Sequence, residues 1–358
     1  MAFQREDASS SVVRQPEKKL CADSQFDRDV EPLFNSSVSR SPVLRLPPEI
    51  TSEIFLHFLP TYPQFPPLSG ILSPVILCQI CGHWREIALS TPRLWRAIKL
   101  LLRPSQGELA LLDCLTTWLA RSGQSPLVLE IRTPRTPRPS EPKLLFLADC
   151  MQAITANRHR LDHLVLDVPF KHLSFLSGDM PLLRDLTIST RAAPDGTPIL
   201  IDRAPALRNL VVSMFDVAFR QLPFAQLISL DVDYIFLAEG AEILREAKNL
   251  IDCRFTMCDD STTTTSLPMI PAHQRLRHLT FCLPEDDVSI HSLLNELTLP
   301  VLSKLEVYED GVTVDALVAF ISRSQCRLEE LRITYASLEE ATYREALPSI
   351  PAIILEYD

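Results

Sequence analysis

A recurring triplet of apolar residues constrains the fold of this 358-residue chain more than any other feature. The triplet has the form LxxLxΦ, where Φ is apolar, and successive first positions lie 22, 24, 20, 23, 26, 26 and 26 residues apart. One loose triplet arises by chance about one time in ten at this apolar content, but leucine fills every first position and all but one of the second positions. Each triplet predicts a short strand whose alternate residues point into a shared core. The triplets are Leu161/Leu164/Leu166, Leu183/Leu186/Ile188, Leu207/Leu210/Val212, Leu227/Leu230/Val232, Leu250/Cys253/Phe255, Leu276/Leu279/Phe281, Leu302/Leu305/Val307 and Leu328/Leu331/Ile333, with a possible ninth at Ile350/Ile353/Leu355.

The period of this pattern resembles that of leucine-rich repeats, whose units are 20 to 29 residues long and contribute one strand each. Covering helices are predicted at 238–248, 287–297 and 314–321, of which the last keeps its apolar residues at helical spacing. The asparagine that such repeats carry after the strand is absent from this chain, and only Cys258 fits its place. The sequence therefore predicts a degenerate, α/β leucine-rich-repeat-like solenoid over residues 105–358. A less regular α/β layering is the alternative.

The stretch 43–98 predicts a compact helical unit ahead of the repeats. Its first helix begins at the Pro47-Pro48 pair, because proline already has a helical φ. Ile50, Ile54 and Phe58 then follow at intervals of four residues and form one apolar stripe.

A second helix start follows at Ser73 and Pro74, as N-cap and first helical residue, and a third at Thr91 and Pro92. A unit of this size cannot bury all of its own apolar side chains, so we expect part of its surface to face a partner. A plain helical hairpin that binds nothing, with both tryptophans in its core, is the alternative. The predicted stripe of the second helix is Ile76, Ile80, Trp84 and Ile87.

Residue order and spacing in this stretch resemble an F-box, in the spelling found in the large F-box families of mushroom-forming fungi. The LPxEI opening, the IF pair, the LP close, the cysteine and WR pair of the second helix, and the terminal LW are all present. The matching positions are Leu46, Pro47, Glu49, Ile50, Ile54, Phe55, Leu59, Pro60, Cys81, Trp84, Arg85, Leu94 and Trp95.

Two features depart from the F-box pattern. The connection from Thr61 to Leu72 is longer and richer in proline than usual, and Gly82 with His83 replace basic or helix-favouring residues. Glycine inside a helix costs about 1 kcal/mol, so the second helix is expected to be weakened at Gly82.

The resemblance implies a small all-α F-box (a helical hairpin plus a short third helix) over residues 43–100, followed by the solenoid. It further implies the substrate-recognition subunit of a Skp-cullin-F-box ubiquitin ligase: the F-box binds the Skp adaptor and, through it, cullin, and the repeats hold an unidentified protein to be ubiquitinated. Phe55 and Trp95 are expected to hold the helices together. The adaptor-contacting set implied by the resemblance is Leu46, Pro47, Ile50, Ile54, Leu59, Ile76, Ile80, Cys81 and Trp84.

A non-catalytic repeat scaffold, whose F-box is vestigial or acts outside a ligase, is the alternative function. No catalytic constellation stands out in the sequence, so neither an enzyme nor a cofactor is predicted. Cys78 and Cys81 have CxxC spacing, but no second pair follows, and Cys81 already belongs to the F-box pattern. His159, His163 and His172 lack an adjacent carboxylate motif and are expected to cap or decorate strands.

Composition indicates which kinds of partner and which cellular compartment are expected. A formal charge of −10 argues against a sequence-independent nucleic-acid binder. Nine cysteines without framework spacing suit a reducing compartment, and no leader or membrane-spanning run is apparent, so a cytoplasmic or nuclear protein without a membrane partner is expected. Residues 1–42 are predicted to be mostly disordered, and 132–142 to form a proline-rich loop.

Overall fold

A computed structural model describes residues 42–102, 108–133, 141–190, 201, 203–214, 222–258, 267–282 and 288–357. Within these residues, eleven strands form one parallel sheet in strictly sequential order, so each strand pairs with its neighbours along the chain. The fold is α/β, and its order is compatible with a solenoid-like repeat. The strands are β1 (Ala97–Leu101), β2 (Leu127–Arg132), β3 (Leu161–Asp167), β4 (Asp185–Thr190), β5 (Asn209–Met214), β6 (Ser229–Phe236), β7 (Asp252–Cys258), β8 (His278–Cys282), β9 (Lys304–Tyr308), β10 (Glu330–Thr334) and β11 (Ala352–Glu356).

The apolar triplets form the core of this sheet, as the sequence predicts. The second positions of the triplets are paired in register from β3 to β11, starting with Leu164 opposite Leu186 and ending with Leu331 opposite Ile353. The eight leucine triplets are buried at all three positions, and in the ninth only Leu355 is half-buried. Alternate side chains point to opposite faces of a strand, so the intervening residues line a second, polar face of the sheet.

Two further strands extend the repeat toward the N-terminus. The sequence predicts β2 from the run PLVLEI at 126–131, and Leu129 of this strand pairs with Leu164 of β3. It does not predict β1, whose Ile98 pairs with Leu129. The sheet therefore begins at Ala97, inside the stretch 43–100 that the sequence assigns to the helical unit.

Helices cover the apolar face of the sheet. The helices predicted at 238–248, 287–297 and 314–321 are observed as α6, α7 and α8, with different end residues. Gly240 lies in α6 (Leu237–Glu246), and a Cβ there would be 3.8 Å from the ring of Phe255 in β7, so this helix lies directly on the core. The helices are α1 (Pro48–His57), α2 (Leu77–Ile80), α3 (Gly82–Leu89), α4 (Glu108–Arg121), α5 (Glu141–Ala156), α6, α7 (His291–Glu296), α8 (Val314–Ser324) and α9 (Glu340–Ala346).

The predicted second helix of the N-terminal unit is broken in two. Cys81 has an extended backbone (φ −159°, ψ 167°) between α2 and α3. Its Sγ accepts a hydrogen bond from the Trp84 backbone N–H at 3.5 Å, so it is the N-cap of α3. Gly82 is consequently the first residue of a helix and not an interior one, and the expected weakening of a helix interior at Gly82 is wrong.

Several predictions concern residues beyond the described part of the chain. These are the predicted disorder of 1–42, apart from Pro42, and most of the proline-rich loop at 132–142.

Candidate functional site

Helix α1 turns its apolar stripe toward solvent. Thr51 and Phe55 form its buried side, and the Thr51 hydroxyl donates to the Pro47 carbonyl at 3.2 Å. Ile50 and Ile54 lie on the other side and are 51% and 49% exposed. A short helix with a buried face and an exposed apolar face has more apolar surface than the chain itself covers.

A second exposed apolar row accompanies α2. The 3-10 turn Pro74–Ile76 passes directly into α2, because both Ile76 and Leu77 have helical φ and ψ. The Ser73 hydroxyl accepts a hydrogen bond from the Val75 N–H at 3.2 Å and caps this segment. Leu77 points into the core, whereas Ile80 is 54% exposed.

Trp84 connects α3 to α1. Its ring lies 4.9 Å from the ring of the buried Phe55, centroid to centroid, at 59°. Trp84 is half-buried. Phe55 is 2% exposed and Trp95 is fully buried, in agreement with the packing role that the sequence predicts for both.

The nine predicted adaptor-contacting residues divide into two groups, and none of them is fully buried. The exposed group projects directly into solvent: Pro47, Ile50, Ile54 and Ile80. The half-buried group supports the same helices: Leu46, Leu59, Ile76, Cys81 and Trp84.

Two further exposed apolar residues in the same region are not among the residues predicted from the sequence. Ile71 is 79% exposed and Leu72 is 62% exposed. A signal for them exists in the sequence: the 31 residues from Ile54 to Trp84 contain no Asp, Glu, Lys or Arg, although 22% of the whole chain is charged. Interface cores are depleted of charge in this way, so the charge-free stretch marks the region that the apolar side chains occupy.

The proline-rich connection lies against the polar face of the first strands. The Tyr62 ring is 4.4 Å from the His163 ring of β3, and the Lys99 ammonium of β1 lies 5.9 Å from the Phe65 ring centroid. Lys99 also contacts the carboxylate of Glu130 in β2 at 2.8 Å. The connection thus attaches the helical unit to the sheet, which the sequence analysis did not predict.

Charged groups of the sheet surround this contact. His163 Nε2 lies 2.9 Å from Asp185 and its Nδ1 lies 3.2 Å from Asp162. The hydrogen bond to Asp185 outweighs burial and raises the pKa of His163. Burial, aided by nearby carboxylates, raises the pKa of Tyr62. The two carboxylates of the sheet therefore favour the imidazolium form of His163.

A second joint connects the helical unit to the sheet region through Trp95. Its indole N–H donates to the Ala88 carbonyl at 2.9 Å, and its ring meets that of Trp118 in α4 edge-on at 5.4 Å. The Arg121 guanidinium lies 4.7 Å from the same ring. Because the two regions share one hydrophobic core, the helical unit is not an independent body on a flexible tether.

The polar face of the middle strands is predominantly acidic. Asp231 and Asp233 of β6 are opposite Arg254 and Thr256 of β7, and the Arg254 guanidinium lies 4.0 Å from the Asp231 carboxylate. Asp252 of β7 adds a third carboxylate opposite Ser229. Burial, together with the negative charge of Asp233, raises the pKa of Asp231. The hydroxyl groups of Ser213 and Thr256 donate to Asp233 at 2.6 and 2.7 Å. This face can offer hydrogen-bond acceptors and negative charge to a partner.

No group of three His, Cys, Asp or Glu side chains suitable for a metal ion is found among the described residues. Burial, with a smaller contribution from Asp149, raises the pKa of Cys150 to about 12. Burial also raises that of Cys253. Thiols with raised pKa values stay protonated at neutral pH and are poor nucleophiles.

None of the helices in the described part of the chain is both long and apolar enough to cross a bilayer.

Comparisons with known proteins add little to this picture. No protein-family model matches the chain, and no curated protein matches it. Among solved structures, the chain is similar to a structural-genomics target from Bacteroides fragilis, with 12% sequence identity and a TM-score of 0.37 over 72% of this chain and 73% of that one. A likeness of this size carries no argument about function.

Proposed function

We propose that this protein is the substrate-recognition subunit of a Skp-cullin-F-box ubiquitin ligase, acting in the cytoplasm or nucleus. The helical unit would be an F-box that binds the Skp adaptor. The repeat-bearing sheet, as a leucine-rich-repeat-like solenoid, would hold the protein to be ubiquitinated. The chain itself would supply proximity and no chemistry of its own.

The observation that carries the proposal is the exposed apolar surface within a stretch free of formal charge. Ile50, Ile54 and Ile80 are each about half exposed. Ile50 and Ile54 match the F-box pattern, and all three belong to the adaptor-contacting set that the resemblance implies. Because each is already about half buried, covering the rest of one such side chain is worth about 1 kcal/mol. A partner with an apolar groove would therefore gain most of its affinity from these three residues.

The two joints between the helical unit and the sheet also support the proposal, because they fix the position of one relative to the other. Contacts of Tyr62 with His163, and of Trp95 with Trp118, hold the helical unit against the sheet. A receptor that must present a bound protein to a distant active centre benefits from such a fixed geometry.

Adaptor binding is the first test. We expect the full-length chain to bind a purified fungal Skp adaptor, and the triple variant Ile50→Ser/Ile54→Ser/Ile80→Ser to lose this binding by at least about 100-fold in Kd. The matched control is Leu182→Ser/Val301→Ser/Val318→Ser, which changes three aliphatic side chains of the sheet region that are 37–43% exposed. These substitutions test the surface better than Trp84→Ala, because Trp84 also packs on Phe55.

Three outcomes are informative. Binding that the triple variant loses and the control keeps, together with cullin recruitment by the adaptor complex, supports the ligase subunit. Adaptor binding without cullin recruitment would instead support the repeat scaffold acting outside a ligase. No adaptor binding by the wild-type chain would mean that the F-box is vestigial or absent.

A further inference from the structure

The connection between α1 and α2 holds two aliphatic side chains out into solvent on a fixed turn. The Ser73 N–H donates to the Gly70 carbonyl at 3.1 Å, which places Ile71 and Leu72 at the two central positions of the turn. Gly70 has a φ of +92°, a conformation that suits glycine. Central turn positions are usually occupied by Gly, Pro, Asn, Asp or Ser. An Ile-Leu pair there has no local structural reason.

The turn is anchored at its C-terminal side. Ser73 is fully buried, and its hydroxyl caps the following 3-10 turn through the Val75 N–H. Pro74 is buried as well. The two exposed side chains therefore project from a backbone whose position is fixed by the core beneath it, and a partner would lose little entropy in ordering them.

Leu72 lies directly before the exposed row of α2. Ile76 and Ile80 are four residues apart and share one face of the helical segment, and Leu72 precedes its N-cap, Ser73, whose backbone is extended (φ −79°, ψ 142°). Pro74 and Leu77 occupy the opposite, buried side of the same segment. Along the chain, no charged residue separates Ile80 from the turn.

We infer that Ile71 and Leu72 form an additional contact for the same adaptor that binds Ile50, Ile54 and Ile80. This inference rests on the proposed function and extends the site into a segment where this chain departs from the F-box pattern. The adaptor is the occupant that these observations favour, because the pair adjoins the Ile76 and Ile80 row and shares its lack of charge. The long connection would then be part of the binding site and not an obstacle to it.

The test measures adaptor affinity of full-length proteins by titration calorimetry. We expect the double variant Ile71→Ser/Leu72→Ser to raise the Kd for the purified Skp adaptor by at least about tenfold. Met269→Ser is the matched control, because Met269 is 82% exposed in the sheet region, and its Kd should equal that of the wild type. The melting temperature of both variants should stay at the wild-type value, since neither variant alters a buried side chain.

The inference and the proposed function fail in different ways. If Ile80→Ser weakens adaptor binding and the double variant does not, Ile71 and Leu72 are no part of the site, although the proposed function stands. If the wild-type chain does not bind the adaptor, both are overturned. If light scattering shows that the wild-type chain self-associates and that the double variant alone is monomeric, the occupant of the turn is a second copy of this chain and the inference is wrong.

Discussion

Regularly spaced apolar residues are buried in the sheet but remain partly exposed in the helical unit. In the sheet, the second residue of every triplet except the last, Ile353, is at most 1% exposed, because each strand places it directly on the same residue of the next strand. Before Ala97, by contrast, Ile50, Ile54 and Ile80 remain about half exposed. Of the 17 large apolar residues exposed in the described part of the chain, nine lie before Ala97: Val43, Ile50, Ile54, Phe58, Tyr62, Ile71, Leu72, Ile80 and Leu89.

The difference follows from how each region closes its apolar surface. A repeated strand always has a neighbour with the same pattern, so the array buries its own leucines. A pair of short helices has no such neighbour on its outer side. Similar apolar periodicity therefore ends in a buried core in one region and in exposed apolar surface in the other.

The largest effect should separate the leucine ladder from the α1 stripe. Leu230 is fully buried between Leu210 and Cys253, and Leu230→Ala should lower the free energy of unfolding by about 3 kcal/mol through lost burial and a cavity. Ile54→Ala, at a half-exposed site, should lower it by less than about 1 kcal/mol. Urea denaturation of both full-length variants measures the two values. Equal losses would mean that the α1 stripe is part of the core.

A smaller effect should distinguish two glycines. A Cβ on Gly311 would overlap the ring of Tyr308, which is buried and donates to the Val288 carbonyl. Gly311→Ala should therefore destabilise the protein by about 2 kcal/mol. A Cβ on Gly82 would meet no atom within 4 Å, so Gly82→Ala should be neutral or stabilise it by about 0.5 kcal/mol. A drop in melting temperature for Gly82→Ala would contradict the position of Gly82 at the start of α3.

The smallest effect concerns the pH dependence of the joint between the two regions. The raised pKa of His163 means that its contribution to stability is full below the unfolded value of about 6.5 and is lost as the pH rises through its folded pKa. Relative to wild type, His163→Gln should therefore cost most at low pH and least at high pH. His57→Gln, at an exposed position, is the control.

His273 in the sheet region should behave in the opposite way. It is 3% exposed, and burial lowers its pKa although its Nε2 lies 3.2 Å from the Leu244 carbonyl. Its contribution should be present above about pH 6.5 and lost as the pH falls through its folded pKa. Chemical denaturation from pH 5 to 9 tests both histidines, and parallel profiles for the two Gln variants would contradict the assignment.

Local chemistry made much of the architecture predictable. The Pro47-Pro48 and Ser73-Pro74 pairs begin helical segments where the sequence places them, because proline and N-cap residues act on the backbone next to them. The strand positions follow from the leucine triplets for the same reason. Strand β1 was missed, because AIKLL is a short mixed run that becomes a strand only by pairing with β2.

The residues of the candidate site could be named from the sequence, but which of their side chains are exposed to solvent could not. The F-box-like positions could be named from the sequence, yet the break at Cys81, which directs Ile80 outward and Trp84 onto Phe55, depends on packing between helices. Contacts of Tyr62 and Phe65 with the sheet join residues about 100 and 34 positions apart, respectively, beyond the reach of any local pattern.

The sequence by itself determined the apolar period, the helix starts and the absence of charge between Ile54 and Trp84. Each of these depends on neighbouring residues or on composition alone. Only the tertiary structure decided which apolar side chains stay in water and how the helical unit is attached to the sheet. Burial is a property of what lies across from a side chain, and residues far along the chain supply those contacts.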